Sequence, residues 1–247
     1  MSPDTGPGCS VLVGDALVCL RDLKPASVDL VLTDPPYSSG GQFRSDRGRD
    51  VAAKYGVRGT FEGDNRDQRA FLTWSTMWMM QARQAMTPGA LMAVFTDWRQ
   101  LPTTTDAMQA AGLVWRGVLP WCKKTCRPQK GRPAASSEFV VWGTNGPRES
   151  AGPCAPGHVL ANAPRGDQRW HPTQKPREVL DLFMPLAGGT VLDPFCGSGS
   201  TLIAAARADL SAVGVEMNPD MAAKARLAYG FAQAGMTDGE IAEELNA

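Results

Sequence analysis

Short apolar runs alternate with longer stretches in which apolar residues recur every three or four positions. The runs are Ser10–Val13, Val28–Leu32, Ala90–Phe95, Phe139–Trp142, Thr190–Leu192 and Ala212–Val215. Each is three to six residues long, rich in apolar residues and bounded by polar or turn-forming residues, as buried strands are. The intervening stretches Asp67–Met86, Thr103–Ala111, Arg177–Leu186, Ser200–Asp209 and Pro219–Gln233 have helical spacing. Strands alternating with helices predict a doubly wound α/β domain on a mostly parallel sheet.

Two stretches interrupt this rhythm. Ser38–Asp67 is polar and glycine-bearing, with Arg44, Arg47, Arg49, Lys54, Arg58 and Arg66 set among acids. A loop that long in a compact domain is functional or mobile. Arg116–Arg148 carries Arg116, Lys123, Lys124, Arg127, Lys130, Arg132 and Arg148 against the single acid Glu138, with Trp121 and Trp142 interleaved and Trp115 just before it. Cations interleaved with aromatics suit nucleic acid; a solvated basic loop flanked by core tryptophans is the plain alternative.

Composition narrows the classes. With 247 residues the chain suits one sizeable domain, and no apolar run is long enough to cross a membrane. The first residues lack the basic-then-apolar pattern of a signal peptide, and six scattered cysteines suit a reducing cytoplasm. Lys plus Arg and Asp plus Glu both number 25, so net charge gives no argument for a polyanionic partner and any basic surface is local.

Two motifs carry chemistry. In Asp193-Pro194-Phe195-Cys196-Gly197-Ser198-Gly199-Ser200-Thr201 a strand empties into a glycine turn and then a helix. Gly197 and Gly199 let the backbone approach a ligand, and Glu216, ending the next strand, stands where doubly wound folds grip ribose hydroxyls. Leu202 occupies the third glycine position of a dinucleotide fingerprint, and there is no Gly-Lys-Ser/Thr of a P-loop. A nucleoside site without a phosphate grip remains. The other motif, Asp34-Pro35-Pro36-Tyr37, ends the strand from Val28. Two prolines remove amide hydrogens and leave carbonyl acceptors, Asp34 adds an anionic acceptor, and Tyr37 adds an aromatic face. Such a set can take both hydrogens of an exocyclic amino group and aim its lone pair at a methyl donor.

Taken together, these residues resemble the DNA amino-methyltransferase family that acts on adenine N6 or cytosine N4, over roughly Val11 to Ala228. The resemblance implies a Rossmann-like, seven-stranded methyltransferase sheet. Its motif order, catalytic first and cofactor last, is circularly permuted and marks the so-called β arrangement. The methyltransferase domain would span 10–233, with a mobile loop at 38–67, a target-recognition insert at 116–165 and a C-terminal tail at 234–247. S-adenosylmethionine is the implied cofactor. Asp193, Pro194, Phe195, Cys196, Gly197, Gly199, Ser200 and Thr201 would line it, with Glu216 on the ribose, Asp15 and Ala16 by the adenine and Met217 packed on the ring. His171, Thr173 and Lys175, in His171-Pro172-Thr173-Gln174-Lys175-Pro176, would lie by the methionine tail. Asp34 and the Pro35 carbonyl would polarise the target amino group and Tyr37 would stack on the flipped base. Double-stranded DNA is the implied partner, bound by the basic segment. Asp at the first catalytic position tilts the target toward adenine N6, with cytosine N4 the alternative and RNA or protein methylation the remoter one.

The remaining candidates lead elsewhere. Cys122, Cys126, Cys154 and His158 could form a zinc set, but the pairs are far apart and free thiols are the simpler reading. Pro153-Cys154 is similar to a cytosine-C5 nucleophile but lacks its acidic partner motif. A stripe at Phe71, Leu72, Trp74 and Trp78 would pack internally or form a homodimer contact.

Overall fold

The computed structural model describes residues 8–36, 66–126, 128, 130–149, 151–166 and 174–246. Tyr37, Arg127, His171, Thr173 and nearly all of the 38–67 loop lie outside them.

The mostly parallel sheet predicted from the runs is present, with eight strands rather than seven. They are β1 (Cys9–Val13), β2 (Val28–Thr33), β3 (Met86–Thr96), β4 (Val114–Cys122), β5 (Ser137–Thr144), β6 (Val159–Leu160), β7 (Thr190–Asp193) and β8 (Ser211–Glu216). Their spatial order is β1-β8-β7-β2-β3-β5-β4-β6. The first five in space run parallel, β5 is antiparallel to both β3 and β4, and β6 pairs parallel with β4. Helices α1 (Ala16–Cys19), α2 (Gln68–Ala85), α3 (Leu101–Ala110), α4 (Arg177–Phe183), α5 (Ser200–Arg207), α6 (Pro219–Gln233) and α7 (Asp238–Asn246) cover it.

Strand alternation divides the core between the two faces of the sheet. On β3, Leu91, Ala93 and Phe95 join one cluster with Val179, Leu202, Ala205 and Ala225 from α4, α5 and α6. Ala90, Met92 and Val94 join the other, with Trp78, Ala82 and Met108 from α2 and α3. Both faces are therefore dry, which is why β2 and β3 read as near-continuous apolar runs.

Two expectations change here. Arg116–Arg148 is not an insert outside the core: its two ends are β4 and β5, with Leu119, Trp121, Val140 and Val141 buried, and only residues 123–136 project between them. The tryptophans are strand residues. The 234–247 stretch is not a free tail either. Thr237 and Glu240 form a capping box (the Thr237 amide donates to Glu240 Oε2 at 2.7 Å), and α7 then buries Ile241, Ala242 and Leu245. Arg207 reaches Asp238 at 2.6 Å, and the Lys224 ammonium donates to the Leu245 carbonyl at 2.7 Å. The aromatic stripe of α2 turns inward, with Phe71 and Trp78 fully buried. No helix among the described residues is long and apolar enough to cross a membrane.

Topology explains where a ligand belongs. From β7 the chain passes through α5 to β8 on one side; from β2 it passes through α2 to β3 on the other. The crossovers diverge from adjacent strands, opening a crevice at the carboxyl ends of β2 and β7.

Candidate active site at the divergence of two strands

β2 and β7 are hydrogen-bonded neighbours, with Leu30 opposite Val191 and Val31 opposite Leu192. Their ends therefore bring Asp34 and Asp193 together across 159 positions of sequence. A side-chain bond ties the motifs: the Thr33 hydroxyl, fully buried, donates to Asp193 Oδ1 at 2.6 Å. The Phe195 amide donates to the same oxygen at 3.0 Å, and the Thr201 hydroxyl also bonds this carboxyl. Burial nevertheless dominates and pushes the Asp193 carboxyl up to about 6, with the nearby Asp34 charge adding to the rise.

Asp34 follows directly on β2, and its two oxygens differ. Oδ2 pairs with the Lys175 ammonium at 2.5 Å. Oδ1 is buried and has no hydrogen-bond partner among the described residues. Desolvation raises the Asp34 carboxyl above its ordinary range; the Lys175 charge and hydrogen bond oppose the rise, and Glu138 adds to it. Lys175, expected by a methionine tail, has a side chain only 10% exposed; its ammonium bonds Asp34 and stands 5.5 Å from the Phe95 ring centre. Pro35 is buried and Pro36 partly so.

The cofactor-side residues form a connected rim. Gly197 adopts a positive φ of 50°, and a Cβ built on it meets nothing within 4 Å, so the turn faces open space. Gly199, at φ 93°, caps α5 where a Cβ would stand 3.0 Å from the Ala225 backbone of α6. This glycine serves helix packing, whereas Gly197 faces open space. Glu216 accepts the Gly197 amide on Oε2 at 3.1 Å and the Asn218 amide on Oε1 at 2.8 Å, which fixes its carboxylate while leaving lone pairs for further donors. Asp15 lies at the neighbouring strand end, where Gly14 donates to the Glu216 carbonyl at 3.0 Å and Asp15 Oδ1 caps α1 through the Leu17 amide. Met217 is half exposed beside them, and Ala16 is buried beneath. Pro194, Cys196 and Thr201 are buried and support the turn; Ser200 opens α5 and is partly exposed. Burial drives the Cys196 thiol far up, away from nucleophile chemistry. Phe195 stacks against Trp74 and Trp78 of α2, with ring centres 5.2 and 5.3 Å away, and the Arg66 guanidinium lies 4.1 Å over Trp74.

The open turn, the fixed acid at the end of β8 and the second acid at the end of β1 fit the nucleoside part of S-adenosylmethionine.

The expected DNA-binding cations divide by position. β4 runs parallel to β3, so Lys123, Lys124, Lys130 and Arg132 lie at the carboxyl edge shared with Asp34. Arg116 lies near the start of β4, about 20 Å back along the strand, and donates to the Thr144 hydroxyl at 3.1 Å. Arg148 holds the Gly89 and Leu186 carbonyls. Lys123 pairs with Glu138 at 2.7 Å. Lys124, Lys130 and Arg132 are exposed and make no ion pair among the described residues. A groove of about 640 Å³ is lined by Lys124, Arg165, Lys175 and Arg207 together with the acids Glu178, Asp181 and Asp238. Among the described residues no cluster of three or more His, Cys, Asp or Glu side chains could hold a metal.

Thr33 and the pairing of Lys175 escaped the sequence reading. Thr33 is a polar residue ending a buried strand whose preceding three residues are apolar, the one signal that could have marked it.

YubD of Escherichia coli strain K12 is 28% identical over 226 residues, covering 83% of this chain and 82% of that protein. Among solved structures, the PvuII DNA methyltransferase, described as cytosine-N4-specific, shares the fold with a TM-score of 0.70 at 16% identity, covering 98% of this chain and 93% of that one. TTHA0409 of Thermus thermophilus, solved with S-adenosyl-L-methionine, shares it with a TM-score of 0.65 at 21% identity, over 93% of this chain and 97% of that one. The DNA methylase model for N6 and N4 methyltransferases matches residues 28–152 and 148–226, a span that holds both motifs. The chain thus belongs to the DNA methylase family of S-adenosylmethionine-dependent N6/N4 amino-methyltransferases.

Proposed function

We propose that the protein methylates the exocyclic N6 of adenine in double-stranded DNA, acting on a base flipped into the crevice between β2 and β7. The observation that carries this reading is the buried, unpartnered Asp34 Oδ1 at the strand end beside the cofactor turn. An unsatisfied buried carboxylate oxygen is costly unless a ligand donates to it.

S-adenosylmethionine supplies an electrophilic methyl carbon when bound. Asp15, Asp193, Phe195, Gly197, Glu216 and Met217 would hold it, with Lys175 instead at Asp34. Asp34 Oδ1 and the Pro35 carbonyl accept the two amino hydrogens and draw the nitrogen lone pair out of conjugation with the ring. Tyr37 would stack on the base and hold it in line. As the nitrogen gains its new bond it must shed a proton, and Asp34 is an anionic acceptor already hydrogen-bonded to it. Lys124, Lys130, Arg132 and Arg127 would track the phosphates, whereas Arg116 is better read as a structural residue of β4.

The test is methyl transfer to DNA, RNA and protein acceptors, with base-resolved analysis of the product. N6-methyladenine is expected; N4-methylcytosine would transfer the same geometry to the other base, and activity on RNA alone would overturn the reading. Asp34→Ala should leave S-adenosylmethionine affinity within about threefold and lower kcat by at least about 10³-fold, because the lost contacts serve the transition state.

A further inference from the structure

We propose that Lys175 is the counter-ion of Asp34, holding it ionised on Oδ2 so that Oδ1 stays free for the target amino group. The inference rests on the proposed role of Asp34 and assigns Lys175 to the catalytic motif, away from the cofactor's methionine end.

Geometry divides the work between the two oxygens. Lys175 Nζ stands 2.5 Å from Oδ2, while Oδ1 is buried and unpartnered among the described residues. An ammonium bridging both oxygens would block the acceptor the base needs; one bound to Oδ2 alone orients the carboxylate and leaves Oδ1 open. The Lys175 side chain is only 10% exposed and passes the Phe95 ring, and the Asp34 side chain is 26% exposed, so water screens the pair less than it does a surface ion pair.

Electrostatics gives the pairing its purpose. The charged groups around Asp34 are Lys175 before α4, Glu138 of β5, itself paired with Lys123 just after β4, and Asp193 of β7. Glu138 and Asp193 disfavour a charged Asp34, and so does burial; among the described residues Lys175 is the one group in contact that favours it. Without that cation, a proton would settle on Asp34, and a protonated carboxyl is a poorer acceptor for the amino hydrogens.

The direct test needs no turnover. Carbon-13 carboxyl titration of the full-length protein, with the Asp34 signal assigned through Asp34→Asn, should show Asp34 titrating about 1–3 pH units higher in Lys175→Met than in the parent. Lys175→Arg should restore most of the difference. An unmoved Asp34 titration in a folded Lys175→Met protein overturns the inference, whatever the activity. If Lys175→Met fails to fold, Lys175→Gln is titrated in its place. In turnover, the acid limb of the kcat–pH profile should move up with the carboxyl, while S-adenosylmethionine Kd changes less than about threefold. A Kd raised tenfold or more with an unmoved Asp34 titration would return Lys175 to the methionine tail. A parent protein inactive on every acceptor would sink the functional reading and leave the titration to decide the pairing.

Discussion

Thr33→Val isolates the bond that joins the two motifs. Valine matches threonine in shape, so the fully buried site keeps its packing and loses only the hydroxyl that donates to Asp193 Oδ1 at 2.6 Å. Asp193 titrates at about 6 in the fold, above its ordinary 3.8. The native state therefore holds its proton more tightly than the unfolded chain, and stability falls as pH rises from about 4 to about 6. A shift of about two units corresponds to roughly 3 kcal/mol of cost at neutral pH. Thr33 offsets part of that cost. A hydrogen bond to a charged group contributes about 1.5–3 kcal/mol and one to a neutral group about 0.5–1.5. Thr33→Val should therefore destabilise the cofactor-free protein by about 1.5–3 kcal/mol at pH 8, where Asp193 is ionised, and by about 0.5–1.5 kcal/mol at pH 5, where it is protonated. Urea unfolding of parent and variant at the two pH values measures this, since every other titrating group cancels in the difference. Equal losses at both pH values would refute the argument that Thr33 acts on the charged carboxylate.

The two glycines of the cofactor turn should part company. Gly199→Ala forces a left-handed residue against the Ala225 backbone and should cost more than about 2 kcal/mol in thermal unfolding. Gly197→Ala meets open space and should cost only about 1 kcal/mol, yet raise S-adenosylmethionine Kd more than about tenfold by filling ligand room, as calorimetric titration would show. Neutralising Lys124, Lys130 or Arg132 should each reduce the slope of log K against log salt for duplex DNA by about 0.9. Arg116→Ala should leave that slope unchanged, and a matching reduction would place Arg116 back on the DNA.

What could be read in the chain was whatever local pattern decides. β2, β3, β7 and β8 are flanked by helices on both faces and so are apolar through their middles, a pattern visible without any knowledge of neighbours. Helix α6 was legible to the residue, because Asn218 caps it and Pro219 opens it. β4 was not. It carries Arg116 and Pro120, and its outer neighbour β6 touches it only at Trp121 and Cys122, so polar and amide-free residues survive on an exposed edge. The charge count that suggested an insert was correct about composition and silent about direction. Only strand pairing reveals that Arg116 and Lys124 point to opposite ends of the sheet. The same limit governs the site. Each motif announced its own chemistry, but the hydroxyl–carboxylate bond from Thr33 to Asp193 and the ion pair from Lys175 to Asp34 span 160 and 141 positions. Neither has a local signature: the first arises because β2 and β7 lie side by side, the second because the segment before α4 passes the end of β2. The contacts that orient Asp34 and Asp193 thus come from residues far away in sequence, which only the fold brings within reach.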